Sequence, residues 1–512
     1  SCPTTNWLKF MPDFQMGIIL IIALSCENAV DSSQVHRKIQ PVFTRHVGTG
    51  TLNQPHYRSL PPMHPTRRHF LQSGAVLAAG LFIAPEQLAA KNRNKVRIGL
   101  IGVGLRGQNH LELALARDDV EVLALCDTDA GMLRDSIAMV SASGKKMPEI
   151  VTGDPYAYRK LLDRRDLDAV VISTPWEWHK PMILDALDRG IRYVGTEVVL
   201  GLTLQDHWDV VRAAEKHGAQ VMMLENVCYR RDVIAVMNMV RQGLFGDLLH
   251  LQGGYQHDLR GVKFNDGKTP YDSGVEFGEK GYSEARWRTQ HSIERNGDLY
   301  PTHGIGPIAM MTDINRGNRF TRLSAYATRA QGLHDYVLAK GGKDHPNAAV
   351  RFKLGDVVTT QIACANGETV LLQHDTSLPR PYSLGFRVQG SKGLWMDINQ
   401  SLHIEGISPR HKWEPAAPWL EKYDHPLWKK YAADADGAGH GGMDFFVLHA
   451  FIESAKRGIA TPQDVYDAAA WSAITPLSEL SIAEGNRAVD FPDFTNGAWR
   501  TRKNTFARTD AF

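Results

Sequence analysis

Tyr300-Pro301-Thr302-His303 sets a phenol and an imidazole three positions apart, the interval that places two side chains on one face of a helical turn. Pro301 suits a helix start, where its missing N–H costs nothing. An imidazole titrates near neutrality and suits general-base work, whereas a phenol needs a neighbouring charge before it can do the same. Together the two groups are candidates for moving protons on and off a hydroxyl or an acidic carbon. The same spacing serves equally well for two side chains that only cap a helix through hydrogen bonds.

A second set of residues points to a ligand rather than to proton transfer. Gly102-Val103-Gly104-Leu105-Arg106-Gly107 follows the apolar residues Val96, Ile98, Leu100 and Ile101 and precedes a helix-like stretch over 109–116. A second apolar run, 120–125, ends at Cys126-Asp127. A glycine triplet alone is a weak signal. Between a strand and a helix, with an acid about 20 residues further on, it is a dinucleotide fingerprint. Gly102 makes the tight turn, Gly104 lets backbone approach a pyrophosphate, and Gly107 lets the helix pack on the strand with its N-terminus toward the phosphates. Asp127 binds ribose hydroxyls and repels a 2′-phosphate, which selects NAD over NADP. Arg106 is the one opposing signal, since an arginine at this place can hold such a phosphate.

The elements that must carry these residues alternate. Helices are expected over 156–162, 179–189 and 205–217, and strands over 169–173, 193–197 and 220–224, which reads as a parallel doubly wound sheet. Thr174-Pro175-Trp176-Glu177-Trp178-His179 falls at a strand's carboxyl end, where such sheets hold ligands. His179 also fits a purely structural place at the helix start. Beyond Arg230 the strand-like runs 248–252, 322–327, 348–352, 357–363, 369–373, 384–390 and 393–396 mostly lack helices between them, so a large open, mostly antiparallel sheet is expected. Helical runs at 444–457 and 465–484 return to cover it. The predicted fold is therefore α/β: a Rossmann domain over 95–230, an α+β substrate domain over 231–495, and a tail over 496–512. A glycine-rich loop over 258–281 is expected to cross the active site, with Tyr271, Phe277 and Tyr282 lining it.

Bulk properties exclude several classes. The 512 residues carry a formal charge of +2, with 43% hydrophobic content, and acids and bases are interleaved, which argues against nucleic-acid or polybasic membrane binding. The five cysteines, Cys2, Cys26, Cys126, Cys228 and Cys364, include no Cys-x-x-Cys pair and read as buried thiols. There is no His-Glu-x-x-His run and no Cys/His set with zinc spacing. His440, within Gly439-His440-Gly441-Gly442, is assigned to a substrate loop rather than to a metal. Near the start, Thr66-Arg67-Arg68-His69-Phe70-Leu71-Gln72, the apolar stretch 74–84 and Ala89-Ala90 form a twin-arginine signal over 63–90. Export to the periplasm or cell envelope is expected. Met63 is read as the true start and 1–62 as an upstream segment, since the apolar run at 16–25 lacks a basic flank. No run reaches the roughly 20 apolar residues of a membrane span.

GLIGVGLRGQ, STPWEWH, Glu225-Asn226-Val227-Cys228-Tyr229-Arg230-Arg231-Asp232, Tyr300-Pro301-Thr302-His303-Gly304-Ile305-Gly306-Pro307 and Gly439-His440-Gly441-Gly442-Met443-Asp444 together resemble glycoside hydrolase family 109. That family of NAD-dependent α-N-acetylgalactosaminidases lies within the glucose-fructose oxidoreductase and inositol dehydrogenase superfamily. The resemblance covers about residues 95–495. It implies NAD contacts from Leu105, Arg106, Asp127, Trp176, Glu177, Trp178, His179, Glu197 and Asn226. It implies sugar contacts from Tyr255, Arg288, Tyr300, Pro301, Thr302, His303 and Tyr382, catalytic roles for His303 and Tyr300, and a homodimer through the open sheet. One departure from the wider superfamily is Thr196-Glu197-Val198-Val199, where sugar dehydrogenases carry Glu-Lys-Pro and use the lysine to polarise the reacting hydroxyl. The expected substrate is a terminal α-linked N-acetylgalactosamine. A simple NAD-dependent sugar dehydrogenase is the alternative, and a non-catalytic sugar or nucleotide sensor is a third reading. The ordinary two-carboxylate glycosidase route has no residue pair that the sequence singles out.

Overall fold

The computed structural model describes residues 95–512. The expectations for 1–62 and for the leader at 63–90 lie outside the described residues, as do Cys2 and Cys26. The first strands are β1 (Val96–Ile101), β2 (Val120–Cys126), β3 (Glu149–Val151), β4 (Ala169–Ile172), β5 (Tyr193–Thr196) and β6 (Gln220–Met223). They pair in parallel in the order β3-β2-β1-β4-β5-β6. This is the doubly wound arrangement whose ligand crevice lies at the carboxyl ends beside β1 and β4. Every residue of β4 and β5 is buried, as expected for strands covered by helices on both faces.

Two features of this half correct the sequence expectation. The helix after β1 is Leu105–Leu115 and starts inside the glycine motif. The sequence reading also passes over the helix Ala130–Ser143 and the short strand β3 that follows it. The signal for that helix is local: the Asp129 carboxylate accepts from the N–H groups of Gly131 and Met132, a strong N-cap.

The second sheet contains β7 (Leu248–Gln256), β8 (Phe320–Ala327), β9 (Val357–Cys364), β10 (Thr369–Asp375), β11 (Arg387–Gly390), β12 (Gly393–Met396), β13 (Ser401–Ile404), β14 (Glu414–Pro415) and β15 (Val489–Asp490). Their order is β14-β13-β12-β11-β7-β10-β9-β8-β15. The β7–β10 pair is parallel and the other neighbours are antiparallel. The expected strand at 348–352 does not form. Pro346–Ala349 is a 3-10 turn, capped by the His345 ring accepting from the Asn347 N–H, and Phe352 packs edge-on to Phe264 instead. The strand expected over 384–390 is shortened because Gly385 takes φ +62°, which breaks the extended chain. The run at 465–484 is two helices, Val465–Ser472 and Ile474–Ala483.

The helix Thr302–Met311 is poor in propensity, with two glycines and an internal proline, yet nine of its ten residues are buried. Its glycines explain its seat. A Cβ on Gly304 would lie 2.4 Å from the Gly254 backbone nitrogen, and one on Gly306 would lie 3.0 Å from Glu225 Cγ. Close approach to β7 and to the turn after β6 therefore decides where this helix starts and which way its first turn faces. A later helix, Met443–Arg457, returns to the nucleotide half, where a Cβ on Gly195 of β5 would lie 3.3 Å from the Phe451 ring.

An ionic contact ties these parts together. Arg106 Nε donates to Glu197 Oε1 at 2.7 Å and its Nη1 donates to Asp444 Oδ2 at 2.8 Å. His110 reaches the same Glu197 oxygen at 2.6 Å, and Asn226 Nδ2 donates to Asp444 Oδ1 at 2.6 Å. Burial works against the charge on Glu197, but Arg106 and His110 outweigh it and hold the carboxyl well below its ordinary range. Asp444 is likewise held low by His440 and Arg106 against burial. Removing one member of such a set leaves buried charges unpaired, at about 3 kcal/mol or more. Arg106→Met should lower the melting temperature by several degrees in a thermal scan; an unchanged midpoint would show that the contact carries no stability.

Candidate functional site

One cleft of about 760 Å³ runs from the glycine loop to the Tyr/His cluster. At its nucleotide end, Gly102 has φ +82°, and a Cβ there would lie 2.6 Å from the Ser173 carbonyl oxygen. A Cβ on Gly107 would collide with the Gly102 carbonyl oxygen at 2.0 Å, whereas Gly104 has open space before it. These are the three roles that a dinucleotide turn demands. Asp127 accepts from the Val103 N–H at 2.7 Å and from the Asp129 N–H at 2.8 Å, so the carboxylate is fixed at the lip of the cleft. Burial pushes its carboxyl up, opposed by those backbone donors. Ser173 Oγ and Asn226 Oδ1 are buried polar atoms with no protein partner, in residues that line the cleft. The residues present thus fit a dinucleotide. Arg106 is spent on Glu197 and Asp444, so it does not serve as a 2′-phosphate clamp.

The other end is aromatic and charged. The Tyr300 and His303 rings meet edge-on at 4.9 Å, and Tyr255 packs on both, at 4.6 Å from Tyr300 and 5.2 Å from His303. Arg288 lies over the faces of Trp176, Trp287 and Tyr300, at 5.1, 5.0 and 5.4 Å, while its Nε donates to Glu284 at 2.5 Å. Burial raises the Tyr300 phenol well above its ordinary range, reinforced by Tyr255 and opposed by Arg288. Tyr255 is raised chiefly by burial as well. Both phenols are thus donors at neutral pH. His303 Nδ1 lies 2.8 and 2.9 Å from the two oxygens of Glu225, which leaves Nε2 for another partner.

The structure brings most of the expected residues to this cleft. Leu105, Asp127, Trp176, Trp178, Glu197 and Asn226 line it, as do Tyr255, Arg288, Tyr300 and His303. Four others stand behind the walls. His179 is fully buried, its ring between the carbonyl oxygens of Val199 and Thr174 at 2.5 and 2.8 Å, the structural place that its helix-start position allows. Glu177 turns toward His291 at 3.8 Å. Pro301 and Thr302 are buried in the helix start. Tyr382 is 48% exposed and flanks the cleft, edge-on to His257 at 5.0 Å. In the loop over 258–281, Tyr271 lines the cleft, but Phe277 packs on Phe264 and the Tyr282 carbonyl accepts from Asn265. Sequence reasoning missed Glu225, His257 and Glu284 as site residues. Glu225 opens a segment already singled out, but no role was read for it there, because its partner is 78 residues away.

Comparison with known proteins agrees with this geometry. Residues 96–225 match the model of the oxidoreductase family with an NAD-binding Rossmann fold, and residues 229–501 match that of the glycosyl hydrolase 109 C-terminal domain. A glycosyl hydrolase family 109 protein of Stenotrophomonas maltophilia is 58% identical over 446 residues, covering 86% of this chain and 98% of that one. An alpha-N-acetylgalactosaminidase of Tannerella forsythia is 47% identical, covering 87% of this chain and 100% of that one. Among solved structures, an NAD-binding oxidoreductase from Klebsiella pneumoniae has a TM-score of 0.60 at 16% identity, covering 78% of this chain and 100% of that one. Myo-inositol dehydrogenase from Lactobacillus casei, in complex with NAD(H) and myo-inositol, has a TM-score of 0.52 at 16% identity, covering 78% and 97%. The solved structures share the fold alone; the family models and curated relatives place the chain, with its NAD-binding Rossmann domain, in glycoside hydrolase family 109.

Proposed function

We propose that the enzyme hydrolyses terminal α-linked N-acetylgalactosamine through a transient oxidation of the sugar, with NAD regenerated in every turnover. The observation that carries this reading is the single continuous cleft shared by the glycine loop and the His303 cluster, where a sugar and a nicotinamide can lie side by side. NAD, when bound, accepts a hydride from the sugar C3 and later returns it, so no net redox change occurs.

The chain's own residues must then move protons. As the C3 hydroxyl becomes a ketone, His303 Nε2 takes the hydroxyl proton. The ketone acidifies the C2 proton; that proton passes to a base of the cluster or to water while the departing C1 oxygen takes one up, so the elimination is proton-neutral. Water then adds at C1 as a proton returns to C2, and His303 gives its proton back to the C3 oxygen when the hydride returns. Tyr300 and Tyr255, phenols neutral at pH 7 and raised further by burial, donate hydrogen bonds to sugar oxygens. Arg288, kept cationic by Glu284 against its burial, stabilises the enolate oxygen through guanidinium hydrogens that Glu284 does not use. Val198 stands where a sugar dehydrogenase of this fold carries its lysine, and it is buried, which leaves the proton transfers to the His303 cluster. Export through the twin-arginine route, which carries folded proteins, suits an enzyme that folds around its nucleotide first.

Two measurements test this. Chromogenic α-N-acetylgalactosaminide incubated with the purified enzyme, without added NAD, should release dye with no rise in NADH absorbance. NADH formed from free sugar and NAD, with no dye release, would leave a dehydrogenase instead. Hydrolysis run in heavy water should place deuterium at C2 of the released sugar, and product with only protium there would overturn the elimination route. His303→Ala should lower kcat by about 10²–10⁴-fold while the protein still copurifies with NAD; near-normal turnover would remove His303 from the mechanism.

A further inference from the structure

We infer that Glu225 is the positioning residue of this reaction: its buried carboxylate fixes the His303 ring with the proton on Nδ1, so that Nε2 faces the cleft as the acceptor. The inference rests on the reading of His303 as the base. Glu225 has no exposed side-chain surface, and both of its oxygens lie within hydrogen-bond distance of His303 Nδ1. Its other bond is to the Val227 backbone N–H at 3.0 Å. A carboxylate taken out of water costs several kcal/mol unless it is paired, and the side chain that pairs with this one is an imidazole on the cleft wall. The Val227 N–H reaches only one of its two oxygens, so capping the turn Asn226–Tyr229 does not by itself account for a buried carboxylate here.

The surroundings prepare this contact. Gly306 leaves the space that Glu225 Cγ occupies, because a Cβ there would come within 3.0 Å of it. The charged and titratable groups around the His303 ring are Glu225 behind it, Tyr300 just before its helix, Tyr255 from β7 and His257 next after that strand, with Arg288 beyond the phenols. Among them Glu225 supplies the negative charge within hydrogen-bond reach. When Nε2 takes a proton, the imidazolium forms 2.8 Å from that carboxylate. This is the division of labour seen when a buried acid orients a catalytic histidine and stabilises its charged form.

Glu225→Gln keeps the volume and the acceptor for Val227 but removes the charge and offers the ring an N–H donor, which favours the wrong tautomer. The expected result is a loss in kcat of about 10²–10⁴-fold, the range for a lost orienting carboxylate, with KM within threefold and bound NAD unchanged. The acid limb of the kcat/KM profile should move to lower pH, because loss of a neighbouring anion disfavours the imidazolium. Glu225→Asp should recover the position of that limb in part, and Glu225→Gln should cost nothing further in a His303→Ala background. An unshifted limb, or a full additional loss in that background, would overturn the role. So would loss of NAD and folding in Glu225→Gln while Glu225→Asp keeps the wild-type rate and profile. Full activity in His303→Ala alone is a different failure, that of the base assignment.

Discussion

Charges in dry protein must be paired, and the placement of Arg106 follows from that constraint. Its guanidinium bridges a carboxylate at the end of β5 and one on the helix Met443–Arg457. Neither acid tolerates burial without it. The glycine loop is thereby held against an element that arrives more than 330 residues later, and Asn226, at the turn after β6, joins through the same Asp444. The nucleotide site is therefore completed by the C-terminal part of the chain. It also explains why an arginine in the phosphate loop does not signal NADP here: its charge is already spent.

The reacting end is built by a different device. The helix Thr302–Met311 has little intrinsic helical preference and forms because burial of nearly its whole surface outweighs that deficit. Gly304 against Gly254 and Gly306 against Glu225 set its distance from β7 and from the turn after β6. At Gly304 backbone meets backbone, which is stiffer than contact through side chains, so the first turn of this helix, with His303, and Tyr300 just before it are held where a longer side chain would displace them. Burial raises both phenols above their ordinary range, and the imidazole beside them keeps one ring nitrogen free of the Glu225 carboxylate.

Much of this was legible in the sequence, and the limits are physical. The glycine loop, Asp127 and the parallel character of the first sheet follow local rules, because a strand–turn–helix unit carries its instructions within about 30 residues; the strand β3 was missed. Tyr300 and His303 were legible as one face of a turn. Residues 348–352 misled because an apolar run satisfies either a ladder or a core contact, and Pro346 decided for the latter. His179 and Glu177 show the same limit at side-chain scale: the motif places the backbone, but Trp176 and Trp178 reach the cleft while His179 bonds the backbone carbonyls of Thr174 and Val199 and Glu177 turns to His291, and Val199 and His291 lie outside the motif. Glu225 was the hardest, since its meaning depends on a ring brought in by another helix.

The two devices meet in one electrostatic requirement. The cleft holds an imidazole backed by a buried carboxylate at one end and an anion-binding turn of backbone N–H groups at the other. Backbone donors at the glycine loop and the committed Arg106 leave little free charge at the nucleotide end. At the sugar end, the carboxylate stands behind the imidazole rather than beside the substrate, and Arg288 is balanced by Glu284 at 2.5 Å. Each strong charge that the cleft needs thus has its counter-ion built into the wall. That arrangement leaves the guanidinium groups of the cleft wall, Arg106 and Arg288, paired rather than isolated.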